Sequence, residues 1–206
     1  MSSKALRWLE LTAVLLEHLH PATRDEIFVR VAAYGVARQM AASDQVQGSG
    51  NAPESARRKF ERDKDELRAL GLTIETIRIA GGNAASQVGY VLRAGADGPI
   101  SLSVSPARGS GGRSGPAEWQ VSEDDLGVID ECLTRLAALR GHPLHAAAAS
   151  AQRAISAGTV DSELGGQGPI RLMPQEQLAL QVALALNTRG VAIGQRLARA
   201  WNPDSG

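Results

Sequence analysis

Ser55-Ala-Arg57-Arg58-Lys59, followed by Arg62, places a hydroxyl and four cations within about two helical turns. Such groups donate to phosphate oxygens, and arginine also donates to the O6 and N7 acceptors of guanine. The chemistry on offer is recognition of duplex nucleic acid. Stepping each residue by its helical angle puts Arg57, Arg58 and Arg62 with Ser55 on one arc and Lys59 at its edge. Ala56, Phe60, Leu67 and Leu70 fall on the opposite, apolar side. The acids Asp65 and Glu66 come later in the helix. Asp63 falls at the margin of the apolar face, where a carboxylate is expected to be hydrogen-bonded or paired, because an unpaired buried charge is costly. The competing reading of the same helix is a solvated face held by pairs such as Glu54–Arg58 and Arg57–Glu61.

Other candidate constellations carry less. His142-x-x-His145 is interrupted by Pro143 and lacks the further ligands a metal site needs. Cys132 reads as a small core hydrophobe. "GSGGRSG" does not fit a phosphate loop, and Arg113 within it has at most a grazing role on DNA. "SEDD" reads as a helix cap, with nothing nearby to shift its carboxylates. The sequence offers no nucleophile–base arrangement. The expectation is a protein that is not an enzyme, with no catalytic residues, no metal and no cofactor.

The chain has 206 residues, room for one or two small domains. Lys plus Arg and Asp plus Glu both number 22, so a polyanion site must come from local placement of charge. The split is slight: 13 basic against 11 acidic up to Gly95, and 9 against 11 from Ala96 onward. One cysteine permits no internal disulfide. The N-terminus has no signal-peptide core, and no stretch approaches the ~18 apolar residues of a membrane span. The expected protein is soluble and cytoplasmic.

The elements that must position the basic residues follow from periodicity and caps. Helical spacing of Leu6, Leu9, Ala13 and Leu16 predicts a helix from about Lys4 to Leu19, ended by Pro21. "TRDE" is a capping box opening a second helix to about Tyr34, with Ile27, Val31 and Tyr34 inward. Val36 to Gly50 has no period and reads as a loop. "NAPE" is a second capping box, with Asn51 as cap and Pro53 in the first turn; the basic helix then spans 52–70 and stops at Gly71. Alternation over "LTIETIRIA" and "VGYVLR", around the turn Gly81 to Gln87, predicts a β-hairpin at 74–92 with Arg78 on the approach to its tip. Helix, helix, helix, hairpin is the order of a winged helix-turn-helix. The predicted domains are a winged helix at 1–95, a flexible linker at 96–120 with one short strand at Ile100 to Val104, and a helical region at 121–206. The fold class is mainly α with a β-hairpin wing, followed by a small helical bundle.

The run "FERDKDELRALGLTIET", with "GYVL" after it, resembles the N-terminal winged helix of WYL-domain transcriptional regulators of the DeoR-like group. Within that group it is most similar to the proteasome-accessory-factor-type branch. Arg62–Asp63, Leu67, Leu70–Gly71, Ile74 and Gly89–Tyr90 carry the resemblance, and "RWLELTAVLLEHLHPATRDEIFVRV" matches the first two helices in spacing. The likeness covers Leu6 to Leu92 and extends more loosely over Val121 to Gly158, where the family has a helical linker. The 36–50 loop is longer than the family pattern, and no Trp-Tyr-Leu triplet of the effector domain occurs.

The resemblance and the charge placement imply a sequence-specific regulator of transcription bound to double-stranded DNA. Helix 52–70 would lie in the major groove and the wing 74–92 on the backbone or minor groove, with Ser55, Arg57, Arg58, Lys59, Arg62 and Arg78 as contacts. The alternative is a winged helix that binds an acidic protein partner instead of DNA. Helices beyond Val121 show apolar residues on two sides: Leu178, Val182 and Ala185 on one, Leu180 and Leu184 on the other. That pattern suggests a homodimer. No membrane partner and no small-molecule ligand is assignable.

Overall fold

The computed structural model describes residues 3–17, 20–34, 54–79, 87–94, 100–105, 118–163 and 169–201. The loop at 36–50, the cap Asn51 with Pro53, nearly all of the hairpin tip, and Arg113 lie outside them. The described chain is mainly helical with a small three-stranded antiparallel sheet in its first compact unit. That unit comprises Met1–Arg68 with Thr73–Arg93, and the second comprises Ala69–Leu72 with Ala94–Gly206.

In the first unit the order is α1 (Ser3–Glu17), β1 (Ala22–Thr23), α2 (Arg24–Arg30), a 3-10 turn (Ala32–Tyr34), α3 (Glu54–Arg68), β2 (Leu72–Ile79) and β3 (Gln87–Ala94). The "TRDE" box forms: Thr23 Oγ1 accepts from the Glu26 N–H at 3.3 Å, and Glu26 Oε2 accepts from the Thr23 N–H at 2.7 Å. β3 lies between β1 and β2, with Ala22 opposite Tyr90 and Thr23 opposite Gly89. Gly71 ends the turn after α3 with a φ of 84°, a conformation that favours glycine.

The second helix stops at Arg30, short of the expected Tyr34. Val31 is extended and a 3-10 turn follows. The inward set survives by this tighter path, because Ile27, Val31 and Tyr34 are all buried. The turn seats the Tyr34 ring 5.3 Å from Phe28 and 6.0 Å from Phe60, and Phe60 stands 5.1 Å from Tyr90. The chain has two Phe and two Tyr. All four meet edge to face in this one core, a preferred aromatic geometry. Among the described residues, the buried hydrophobic side chains of the second unit are aliphatic, with Cys132 beside them.

The second unit holds β4 (Ile100–Ser105), β5 (Glu118–Ser122), α4 (Glu123–Ala138), α5 (His145–Glu163), β6 (Ile170–Leu172), α6 (Pro174–Leu184) and α7 (Thr188–Trp201). The 96–120 segment, expected as a flexible linker with one short strand at Ile100 to Val104, contributes that strand as β4 and the start of a second, β5. β4 pairs parallel with β5 and antiparallel with β6, and Leu102 and Val121 bury completely. Burying such residues offsets the entropy of ordering the strands that carry them. Ser122 caps α4 by accepting from the Asp125 N–H at 3.3 Å. Every residue of α6 from Gln177 onward is buried within the chain. Leu178 and Val182 on one side, and Leu180 and Leu184 on the other, are thus covered without a second copy. The two-sided apolar pattern consequently gives no reason for a dimer.

Candidate nucleic-acid interface

α3 has two faces of opposite character. Ala56, Phe60, Asp63 and Leu67 are buried at helical spacing. Ser55, Arg58 and Arg62 are exposed, and Arg57 and Lys59 are half-buried. The roll of the helix is set by Asp63, which is fully buried. Its Oδ2 accepts from Arg7 Nε at 2.6 Å and from the Tyr34 hydroxyl at 3.0 Å. Its Oδ1 accepts from Arg7 Nη2 at 2.7 Å and from Trp8 Nε1 at 3.2 Å. Four donors satisfy the carboxylate, as its marginal position in the sequence led us to expect. The hydrogen bond to Asp63 raises the Arg7 pKa above its usual value, against the opposing effect of burial. Burial first, and then the Asp63 charge, push the Tyr34 phenol well above its ordinary range.

With Asp63 fixed inward, Arg58 and Arg62 of the first turns are exposed away from the core. Glu54, Ser55, Arg58, Lys59 and Arg62 line an open depression of about 460 Å³. Arg58 Nε donates to Glu54 Oε1 at 3.1 Å. Among the described residues Arg62 meets no carboxylate within ion-pair distance. Lys59 lines the depression, and its ammonium also donates to the Ala33 carbonyl at 3.1 Å, tying α3 to the 3-10 turn. Arg57 is not among the residues lining the depression. Of the two pairs named by the competing reading, Glu54–Arg58 forms, while Glu61 pairs with Lys64 at 2.7 Å. Arg78 is exposed on β2.

Toward its C-terminal end α3 pairs its own charges, Arg68 with Asp65 at 3.2 Å and Lys4 of α1 with Glu66 at 2.9 Å. The cationic surface is therefore concentrated at the start of the helix, where the helix dipole also favours an anion. Glu54 belongs to the depression as well as to the Glu54–Arg58 pair that the competing reading of the helix named. The signal was present in its spacing, since Arg58 stands four residues on.

The other sequence candidates sit in structural roles. His142 is buried, and its Nδ1 accepts from the Leu144 N–H at 3.2 Å at the start of α5. Cys132 is buried in the core of the second unit, and burial pushes its thiol up to about 11. Among the described residues no group of three or more His, Cys, Asp or Glu side chains gathers as metal ligands would. Among them, too, no helix is long and apolar enough to cross a membrane. No family model, curated protein or solved structure matches this chain.

Proposed function

We propose that the first unit is a winged helix-turn-helix that binds double-stranded DNA and serves a sequence-specific regulator of transcription. α3 enters the major groove by its N-terminal half, and the β2–β3 hairpin is the wing, riding on the backbone or in the minor groove. One observation carries the reading: a saturated buried carboxylate fixes the roll of α3 so that Ser55, Arg58 and Arg62 point outward together. Arg58 and Arg62 suit base edges and phosphates, Ser55 suits a phosphate, and Arg78 on β2 would meet the backbone. The apolar surface that suggested a second copy is covered within the chain, so the proposal does not depend on a dimer.

The second reading, a protein-interaction module with an acidic partner, is favoured by the acids interleaved on the exposed side of α3, Glu54, Glu61 and Asp65. Titration of a labelled random-sequence duplex with the full chain separates the two. DNA binding predicts an affinity that Arg58→Ala with Arg62→Ala reduces at least tenfold, a loss of ~1.4 kcal/mol or more. Absence of duplex binding at low salt would leave the protein-interaction reading.

A further inference from the structure

Among the described residues lining the depression on α3, Glu54 is the one acid; Ser55, Arg58, Lys59 and Arg62 supply the rest. The Glu54 and Arg58 side chains remain 64% and 79% exposed in their pair, so the contact adds little to folding. A carboxylate in this place repels phosphate. It weakens sequence-independent attraction to a polyanion on a face whose other groups favour it.

Its geometry fits a base edge. The bond to Arg58 uses Nε and Oε1 alone. That leaves Nη1 and Nη2 of Arg58 as a two-donor edge and Oε2 of Glu54 as an acceptor. In the major groove guanine presents two acceptors, O6 and N7, and cytosine presents the N4 amine as a donor. The pair carries the complementary set on two adjacent side chains.

We propose that Glu54 is a specificity-determining residue of the duplex-binding face. Glu54 orients Arg58 toward a guanine and itself accepts from the N4 amine of a cytosine in the same or the adjoining base pair. The proposal rests on the DNA-binding reading above. A competing role is local: Glu54 stands in the first helical turn, where a negative charge favours the helix whether or not DNA is bound.

Two substitutions separate these roles. Glu54→Gln keeps the length, removes the charge and offers an amide suited to adenine. Glu54→Asp keeps the charge at the helix start and shortens the reach. Bound sequences are selected from a random duplex library with the full-length wild type and both variants, and thermal melting is followed in parallel. The wild type is expected to require a guanine and a neighbouring or paired cytosine. Glu54→Gln should move the cytosine position toward adenine and tighten binding to nonspecific duplex. Glu54→Asp should lose about tenfold in discrimination at that position while melting like the wild type. Identical selected sequences for all three proteins, or variants that differ only in melting temperature, would overturn the proposal. A wild type that binds no duplex at all removes the DNA-binding reading itself, a result visible before any variant is compared.

Discussion

Arg7 grips Asp63 through two separate bonds, Nε to Oδ2 at 2.6 Å and Nη2 to Oδ1 at 2.7 Å, across 56 residues of sequence. The carboxylate is fully buried and the Arg7 side chain is 11% exposed. Breaking such a pair from one side strands a charge. Arg7→Met is therefore expected to destabilise the protein by ~3–5 kcal/mol. Asp63→Asn should cost less, because the amide retains an acceptor for Trp8 or Tyr34. Denaturant unfolding measures both, and a loss below ~1 kcal/mol for Arg7→Met would show that Asp63 finds other donors.

Tyr34 contributes a third bond to the same carboxylate, and its raised phenol pKa gives that bond a pH signature. The folded state holds the proton more tightly than the unfolded chain does. The contribution is therefore full below the ordinary phenol pKa of 10 and falls as pH rises above it. Melting temperatures should decline at alkaline pH in the wild type and decline less in Tyr34→Phe. At neutral pH Tyr34→Phe should lose about 1.5–3 kcal/mol, the range for a hydrogen bond to a charged group. Equal alkaline slopes for the two proteins would place the titration elsewhere.

Cys132 reports on the second unit in a lower window. Its thiol rises from 9.0 to about 11, first by burial and then by the charge of Glu131. Its contribution to stability is intact below pH 9 and is lost as pH climbs through 11. Cys132→Ala should flatten the stability profile in that interval and leave the Tyr34 contribution in place. An unchanged profile would show that the thiol is not shielded.

Two glycines make opposite forecasts. A Cβ at Gly190 would lie 2.5 Å from the Leu184 carbonyl oxygen and 3.1 Å from Cys132 Sγ, so Gly190→Ala must displace backbone. It should cost ~1–3 kcal/mol, as overpacking does. Gly127 lies within α4 with nothing within 4 Å of its Cβ position. Gly127→Ala should stabilise by about 0.5–1 kcal/mol. Thermal melting of the two variants checks both signs.

Local signals made α3, the Thr23 and Ser122 caps and the strands of the hairpin legible in the sequence, because periodicity and capping depend on residues a few positions apart. The marginal placement of Asp63 showed that it needed partners. It did not show which, since Arg7, Trp8 and Tyr34 come from 56, 55 and 29 residues away. The bond from Lys59 to the Ala33 carbonyl was not legible, because a backbone carbonyl leaves no mark on sequence. β6 has three residues, too few for a period. The two-sided apolar pattern of α6 was visible, but the pattern does not distinguish neighbours within the chain from a second copy.

The most direct test of the account is the salt dependence of duplex binding by the wild type and Arg62→Ala. Phosphate and base contacts from the start of α3 predict affinity that falls steeply with salt in both proteins. Arg62→Ala should bind more weakly, with a logarithmic slope shallower by about one if Arg62 meets a phosphate. Arg62→Ala indistinguishable from the wild type in affinity and slope, or wild-type binding indifferent to salt, would contradict the assignment of α3 as the DNA-binding element.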